Sequence, residues 1–152
     1  METEKEVVVT PRYLIVAHRT LGGDHLMEHV RALRAQGPCR FHLLVPVEHP
    51  MGTWSDGQVQ AAARRALQAG LDLFHENRII ADGEVGDANP VYAAGVVVRR
   101  EGRGAFQGII VSTLPAGPSR WLRLDVPSRL RKEFPELEVT HLVGEEAFAL
   151  QT

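Results

Sequence analysis

The sequence has a single cysteine, no excess of positive charge and no long hydrophobic run, and each shortage excludes a class of protein. Cys39 has no second cysteine to pair with, which excludes a disulfide-held miniature fold and favours a reducing, cytoplasmic environment. Lys and Arg together number 17 against 19 Asp and Glu, so the formal net charge is −2. This balance provides no overall positive field for binding nucleic acid or an anionic membrane.

The longest uncharged stretch, residues 104–119, is interrupted by Gly, Pro, Ser and Thr. It is shorter and more polar than the ~20 apolar residues of a membrane-spanning helix. The first six residues, METEKE, are acidic, whereas a secretory signal begins with basic residues followed by an apolar run. We therefore expect no targeting signal and no membrane association.

What the sequence does contain is an alternation of apolar strand-like runs and helical patterns across 152 residues, 44% of them hydrophobic. This length and composition predict one domain, residues 1–152, with its core over about residues 12–143 and short flexible tails. The predicted strands are residues 12–18, 41–47, 78–85, 106–113 and 138–143. The predicted helices are residues 21–36, 55–76, 89–100 and 119–134, the last interrupted near Asp125 because Pro127 lacks a backbone donor. The alternation predicts an α/β fold, Rossmann-like and three-layered, with an open, mostly parallel sheet and helices on both faces.

Ligands in an open parallel sheet bind beyond the carboxyl ends of the strands, where the strand order reverses. The candidate ligand-binding residues therefore lie around the ends of strands one and four, where a Pro/Gly loop after strand four offers free backbone donors. They are Ala17, His18, Arg19, Val45, Ser112, Thr113, Gly117, Ser119 and Arg120. His18 and Arg19 are placed either to meet a small anion there or to pair with Asp87.

Catalytic and metal-binding motifs are few. The segment His25-Leu-Met-Glu-His29 matches the H-x-x-E-H pattern of one zinc protease class, because histidines four residues apart share one face of a helix. The buried stripe of this helix is predicted to include Leu26 and Val30, which makes both histidines surface residues. No G-x-S-x-G elbow is present, and Ser112 and Ser119 have no base at a suitable spacing. We therefore predict no catalytic residue and no metal ligand.

Three stretches of the sequence resemble the universal stress protein family, of the adenine-nucleotide alpha-hydrolase-like superfamily. They are residues 13–31 (YLIVAHRTLGGDHLMEHVR), 86–90 (GDANP) and 109–130 (IIVSTLPAGPSRWLRLDVPSRL), and the likeness extends over about residues 12–143. The resemblance implies a five-stranded parallel sheet of order 3-2-1-4-5 and a cleft for ATP or another adenine nucleotide. It adds Gly86 and Asp125 to the candidate ligand-binding residues.

The resemblance also implies a homodimer formed through the last strand, Glu138 to Val143. In the implied order this strand lies at a sheet edge, and its apolar character is typical of an edge that is covered by a partner. Two chains can cover it by antiparallel edge contact about a twofold axis.

The ATP-binding members of this family carry G-x-x-G-x9-G-[ST] after strand four, and the matching positions here are Ser112, Pro115, Asp125 and Val126. None of these keeps the residue type of the motif, and His18 occupies the place of an acidic residue at the end of strand one. Asp125 is predicted to cap a helix with its carboxylate, which then occupies the amides that a phosphate would need. We therefore expect ATP binding to be weak or absent.

Three function classes remain: a small-ligand or nucleotide-binding regulatory protein, an ATP-using enzyme of the same superfamily, and a ligand-free interaction module. The enzyme class has one partial motif, since residues 21–24 (LGGD) contain the Gly-Gly pair of the S-G-G-x-D-[ST] motif of ATP pyrophosphatases. No nucleophile–base or metal constellation supports it. The expected function is a universal-stress-protein-like, non-catalytic regulator or small-ligand binder of the cytoplasmic stress response. The alternatives are a genuine adenine-nucleotide-binding stress protein and an ATP-using enzyme of the same superfamily.

Overall fold

A computed structural model of the chain describes residues 10–49, 54–102, 104–115 and 120–144, and of residues 120 and 123 only the backbone. The strands are β1 (Arg12–Val16), β2 (Arg40–Pro46), β3 (Ile80–Gly86), β4 (Gly108–Thr113) and β5 (Glu138–Val143). The helices are α1 (Asp24–Ala35), α2 (Asp56–Glu76), α3 (Pro90–Glu101), α4 (Arg120–Arg123) and α5 (Val126–Glu133). Strands and helices therefore alternate as the sequence pattern predicts, with α4 and α5 together in place of the last predicted helix.

The five strands form one open, parallel sheet in the order β3-β2-β1-β4-β5. In the centre of the sheet, Val16 of β1 is aligned with Leu44 of β2 on one side and with Val111 of β4 on the other. The chain leaves β3 at one edge of the sheet and returns through α3 to β4, beyond β1. The predicted fold class and strand order are confirmed, and the switch point lies between the carboxyl ends of β1 and β4.

Both faces of the sheet are covered by apolar side chains, which form two separate clusters. One cluster packs beneath α1 and α2 and includes Ile15, Leu43 and Ile110, each at most 1% exposed. The other packs beneath α3 and α5 and includes Leu14 and Ile109, which are fully buried. Burying one such side chain contributes about 1.5–3 kcal/mol, so the two clusters hold the layers together and leave the carboxyl edge as the open side of the central strands.

Short-range signals set the helix starts. Ser55 and Gln58 form a capping box at the start of α2, in which Gln58 N donates to Ser55 Oγ at 3.1 Å and Ser55 N donates to Gln58 Oε1 at 2.7 Å. Asn89 caps α3 by accepting the backbone N–H groups of Val91 and Tyr92. These residues satisfy backbone donors that no helical carbonyl can reach.

The predicted break near Asp125 is present, but the predicted cap is not. Asp125 stands at the N-cap position of α5 with a left-handed backbone (φ 56°, ψ 45°), and its side chain makes no capping hydrogen bond. A capping side chain normally reaches the helix amides from an extended backbone. The left-handed backbone of Asp125 does not provide that geometry for its carboxylate. The prediction that the Asp125 carboxylate occupies the first amides of α5 is therefore wrong.

Within the described ranges, none of the helices combines the length and the apolar composition that a membrane span requires.

Candidate functional site

His18 lies two residues beyond the end of β1, at the switch point of the sheet. Its Nδ1 atom is buried and has no hydrogen-bond partner among the residues that the structure describes. Burial lowers the pKa of His18 below its usual value of 6.5, and the positive charge of neighbouring Arg19 lowers it further, while an interaction of the ring with the backbone of His18 itself acts in the opposite direction. The neutral ring is therefore favoured, and it carries a polar atom whose burial without a partner costs about 1–3 kcal/mol.

Ser112, the fifth residue of β4, connects two other elements at the same edge. Its hydroxyl oxygen lies 2.5 Å from Oγ1 of Thr20 in the β1–α1 loop and 2.8 Å from Nε2 of His25 in the first turn of α1. Thr20 and Ser112 are each 1% exposed. This hydroxyl–histidine cluster of Thr20, His25 and Ser112 ties the loop that follows His18 to the end of β4.

The structure corrects two expectations about these residues. His25 and His29 are both partly buried and not surface residues. Burial lowers the pKa of His25, although Asp24 and Glu28 act in the opposite direction. Ser112 does have an imidazole at hydrogen-bond distance, 87 positions away along the chain, so spacing in the sequence was a poor guide to its partners. Because the Ser112 hydroxyl is buried and shared with Thr20, the arrangement positions a loop and does not present a nucleophile.

Glycine at position 144 makes room for His25. A Cβ atom built on Gly144, the residue that follows β5, would overlap the Nδ1 and Cε1 atoms of the His25 ring. The backbone of Gly144 is itself fixed, because its N–H donates to the carbonyl of Thr113 at 3.0 Å. The absence of a side chain at this position therefore allows His25 to reach Ser112.

A second histidine–hydroxyl pair lies on the opposite face of the sheet. Thr113 Oγ1 is 2.8 Å from Nε2 of His141 in β5, and consecutive residues of a strand point to opposite faces. Burial lowers the pKa of His141, and the charge of Arg131 in α5 adds to the effect. The last two residues of β4 are thus each bonded to a histidine, one toward α1 and one toward α5.

The other candidate residues from the sequence are distributed unevenly. Ala17 and Val45 are fully buried among the apolar residues beneath α1 and α2, and they belong to the core. Gly86 lies at the end of edge strand β3, aligned with Pro46. Asp87 accepts the N–H of Asn89 within its own loop, and no pairing of Asp87 with His18 is present.

Three further candidates lie in or beside the segment that follows β4. Arg120 is the first residue of α4, and only its backbone is described. Gly117 and Ser119 lie outside the described residues. His18, Arg19, Ser112 and Thr113 are thus the polar candidates that the structure brings to the carboxyl edge of the central strands.

A charged cluster on the α3 side of β3 was not anticipated from the sequence. The ring nitrogens of His42 lie 2.8 Å from Asp82 Oδ1 and 2.7 Å from Glu84 Oε2. Arg100 donates to both oxygens of Glu84, and these bonds, followed by the one from His42, lower the pKa of Glu84. Two more members complete the cluster, Arg12 and Glu101, whose side chains are 3.0 Å apart.

Thr20, His25, His42 and His141 are the polar residues that the sequence reasoning missed. The H-x-x-E-H pattern did draw attention to His25, but as half of a metal-binding pair, whereas its ring lies against Ser112. Among the described residues no three or more His, Cys, Asp or Glu side chains are placed so that they could hold a metal ion. The remaining partners come together only through strand pairing, which no local pattern reveals. No protein-family model matches this sequence, and no curated protein matches it significantly.

The packing of His25 against residue 144 can be tested by a thermodynamic cycle. Gly144→Ala should lower the free energy of unfolding by about 1–3 kcal/mol, because the new methyl group displaces the His25 ring from Ser112. In the His25→Ala background the same change should be nearly neutral. Gly104→Ala is the matched control, since nothing lies within 4 Å of a Cβ there. Equal effects of Gly144→Ala in both backgrounds, measured by urea denaturation, would contradict the contact.

The lowered pKa values of His18, His25 and His141 predict acid sensitivity. Each native pKa lies below the usual 6.5, so the unfolded chain binds more protons as the pH falls past that value. The stabilisation of the folded state that these three neutral histidines provide is complete above about pH 6.5, and it is lost as the pH falls toward their native pKa values. We expect the free energy of unfolding to be smaller at about pH 5.5 than at about pH 7.5. The difference between the two pH values should be reduced in a variant in which all three histidines are changed to Asn. A wild type more stable at the lower pH would contradict this.

Proposed function

We propose that this chain is a non-catalytic regulatory protein of the universal stress type, cytoplasmic and active in the stress response. In this proposal it binds a small ligand at the carboxyl ends of β1 and β4. The observation that carries the proposal is the buried, unpartnered Nδ1 atom of His18 at the switch point. Native proteins rarely leave such an atom unsatisfied within the fold, and a ligand that hydrogen-bonds to it would remove the penalty.

The surroundings of His18 support a site whose geometry is set before the ligand arrives. The loop after β1 is held by the bond between Thr20 and Ser112, and Ser112 is held in turn by His25. A ligand that meets a loop already fixed in place does not have to order it, which favours affinity. The same bonds occupy the Ser112 hydroxyl, which supports binding over catalysis.

ATP is proposed to bind weakly or not at all. Close approach of phosphates to a loop requires glycines and free amides, and the position of the motif's second glycine is Pro115, which has neither small size nor an N–H group. The favoured ligand is therefore a smaller anion or a nucleotide with fewer phosphates, which the positive charge of Arg19 beside His18 would attract. One observation favours the alternative, a true adenine-nucleotide binder: the side chain of Asp125 leaves the first amides of α5 uncapped.

We further propose that two copies associate through β5. Gly144 donates its N–H to the carbonyl of Thr113, so residue 144 points its N–H group toward β4. Because the direction alternates along a strand, residues 139, 141 and 143 point their N–H and C=O groups away from β4. Arg131 donates to the carbonyl of Val139, so within the part of the chain that the structure describes the carboxyl half of this edge is the part without such a bond. Val143 there is 48% exposed, and an apolar edge of this kind favours pairing.

The ligand proposal is tested by titrating the protein with ATP, AMP, adenosine and acetyl phosphate, and by mass spectrometry of any ligand released on denaturation. We expect one of the smaller compounds or a released ligand to bind, ATP to bind at least tenfold more weakly, and His18→Asn to reduce the affinity about tenfold, as loss of a buried hydrogen bond does. His49→Asn, at an exposed histidine, is the matched control. No binding by any of these compounds, together with no released ligand, would indicate a ligand-free interaction module instead.

The dimer proposal is tested by light scattering at micromolar concentration. The wild type should have twice the mass of one chain. Val143→Pro should be monomeric, because proline removes an outward N–H group that makes no bond to β4. Val143→Thr keeps that group and should remain dimeric. A wild type that is monomeric at about 50 μM would refute association through this edge.

A further inference from the structure

A cleft separate from the switch point lies at the opposite edge of the sheet, beside the end of β3. It is open to solvent, has a volume of about 280 Å³ and is lined by residues of β2, β3, α2 and α3. Its floor is apolar and buried, formed by Leu44, Ala93 and Val97, each at most 3% exposed. Gly86 lets α3 approach the sheet here, because a Cβ atom on it would meet Leu44 Cδ1 at 2.8 Å and Ala93 Cβ at 3.0 Å.

The rim of the cleft is acidic. The charged side chains that line it are Glu84 and Asp87, and no lysine or arginine is among the lining residues. Glu84 already accepts bonds from Arg100 and His42, which offset its charge. Asp87 has no ion pair with any cation of the described residues, and one of its oxygens accepts the N–H of Asn89. Asp87 therefore supplies most of the negative field at the opening.

The backbone of β3 adds a neutral acceptor. Gly86 O accepts from Val47 N, toward β2, whereas Ala81 O accepts from the side chain of His75. Because backbone groups alternate along a parallel strand, Val85 directs its carbonyl outward with that of Ala81, away from β2. Val85 is also among the residues that line the cleft, which makes this outward carbonyl a candidate third acceptor beside the two carboxylates.

We propose that this cleft binds a primary ammonium group carried on a short apolar chain. An ammonium group has three donors and no acceptor, which matches Asp87, Glu84 and the Val85 carbonyl. The apolar chain would cover Leu44 and Val97 and the half-exposed side chain of Val96. The volume of the cleft lies just below the usual range for ligand pockets, so the ligand is small. The same chemistry is available from a free alkylamine and from a lysine side chain of another protein.

The experiment is an NMR titration of the full chain with 1-aminopentane, with 1-pentanol and pentanoate as the neutral and anionic analogues. We expect saturable shifts of the amides of Val85, Gly86 and Ala93 with the amine alone. Asp87→Asn should weaken binding about fivefold, as removal of a surface ion pair does. Asp72→Asn changes the net charge equally at an exposed site on α2 and should have no effect.

A parallel titration with the tripeptide acetyl-Gly-Lys-Gly-amide distinguishes the two sources. Tighter binding of the peptide supports recognition of a protein lysine, and tighter binding of the amine supports a free metabolite. The proposal is overturned if the amine causes no saturable shifts at about 20 mM, if pentanol shifts the same amides equally, or if Asp72→Asn weakens binding as much as Asp87→Asn.

Discussion

β1 pairs with β2 along one edge and with β4 along the other. It becomes a central strand, buried on both faces, only because β4 returns to the edge that β2 leaves unpaired. The crossover through α3 accomplishes this return, and it places α1 and α2 on one face of the sheet and α3 and α5 on the other. A strand buried in this way can expose only its ends. The reversal of strand order also separates the loops that leave β1 and β4, so the carboxyl edge between them is where polar side chains can meet a ligand.

Polar groups that lie at this edge must find partners inside the protein or outside it. Hydrogen bonds join Ser112 to Thr20 and His25, and Thr113 to His141. Burial lowers the pKa of both histidines, and a neutral imidazole can still donate or accept these bonds. His18 is different, since its Nδ1 atom has no partner among the described residues. The internal bonds thus surround one unsatisfied position, and the ligand site proposed above rests on it.

The two edges of the sheet are protected by different means. On β3, charged residues and a side-chain bond from His75 to the carbonyl of Ala81 discourage strand pairing. On β5, Arg131 bonds the carbonyl of Val139, and the carboxyl half of the strand carries the exposed Val143. This contrast explains why self-association is proposed at β5 and a small charged ligand at β3.

The sequence by itself determined the elements and their order, because strands buried on both faces are mostly apolar and residues such as Ser55 and Asn89 favour helix starts. The β4 segment, the capping box at Ser55 and the break before Val126 all follow from such local rules. Local rules failed at Asp125, where a side-chain cap requires an extended backbone and the residue has a left-handed one.

Tertiary structure alone decided which polar residues meet. Ser112 and His25 are 87 positions apart, and they are joined because β4 pairs with β1 while Gly144, after β5, leaves space for the ring. His42 likewise meets Asp82 and Glu84 only through the pairing of β2 with β3. Periodicity along a chain reports burial, whereas a contact between distant residues depends on the strand order and register of the whole sheet.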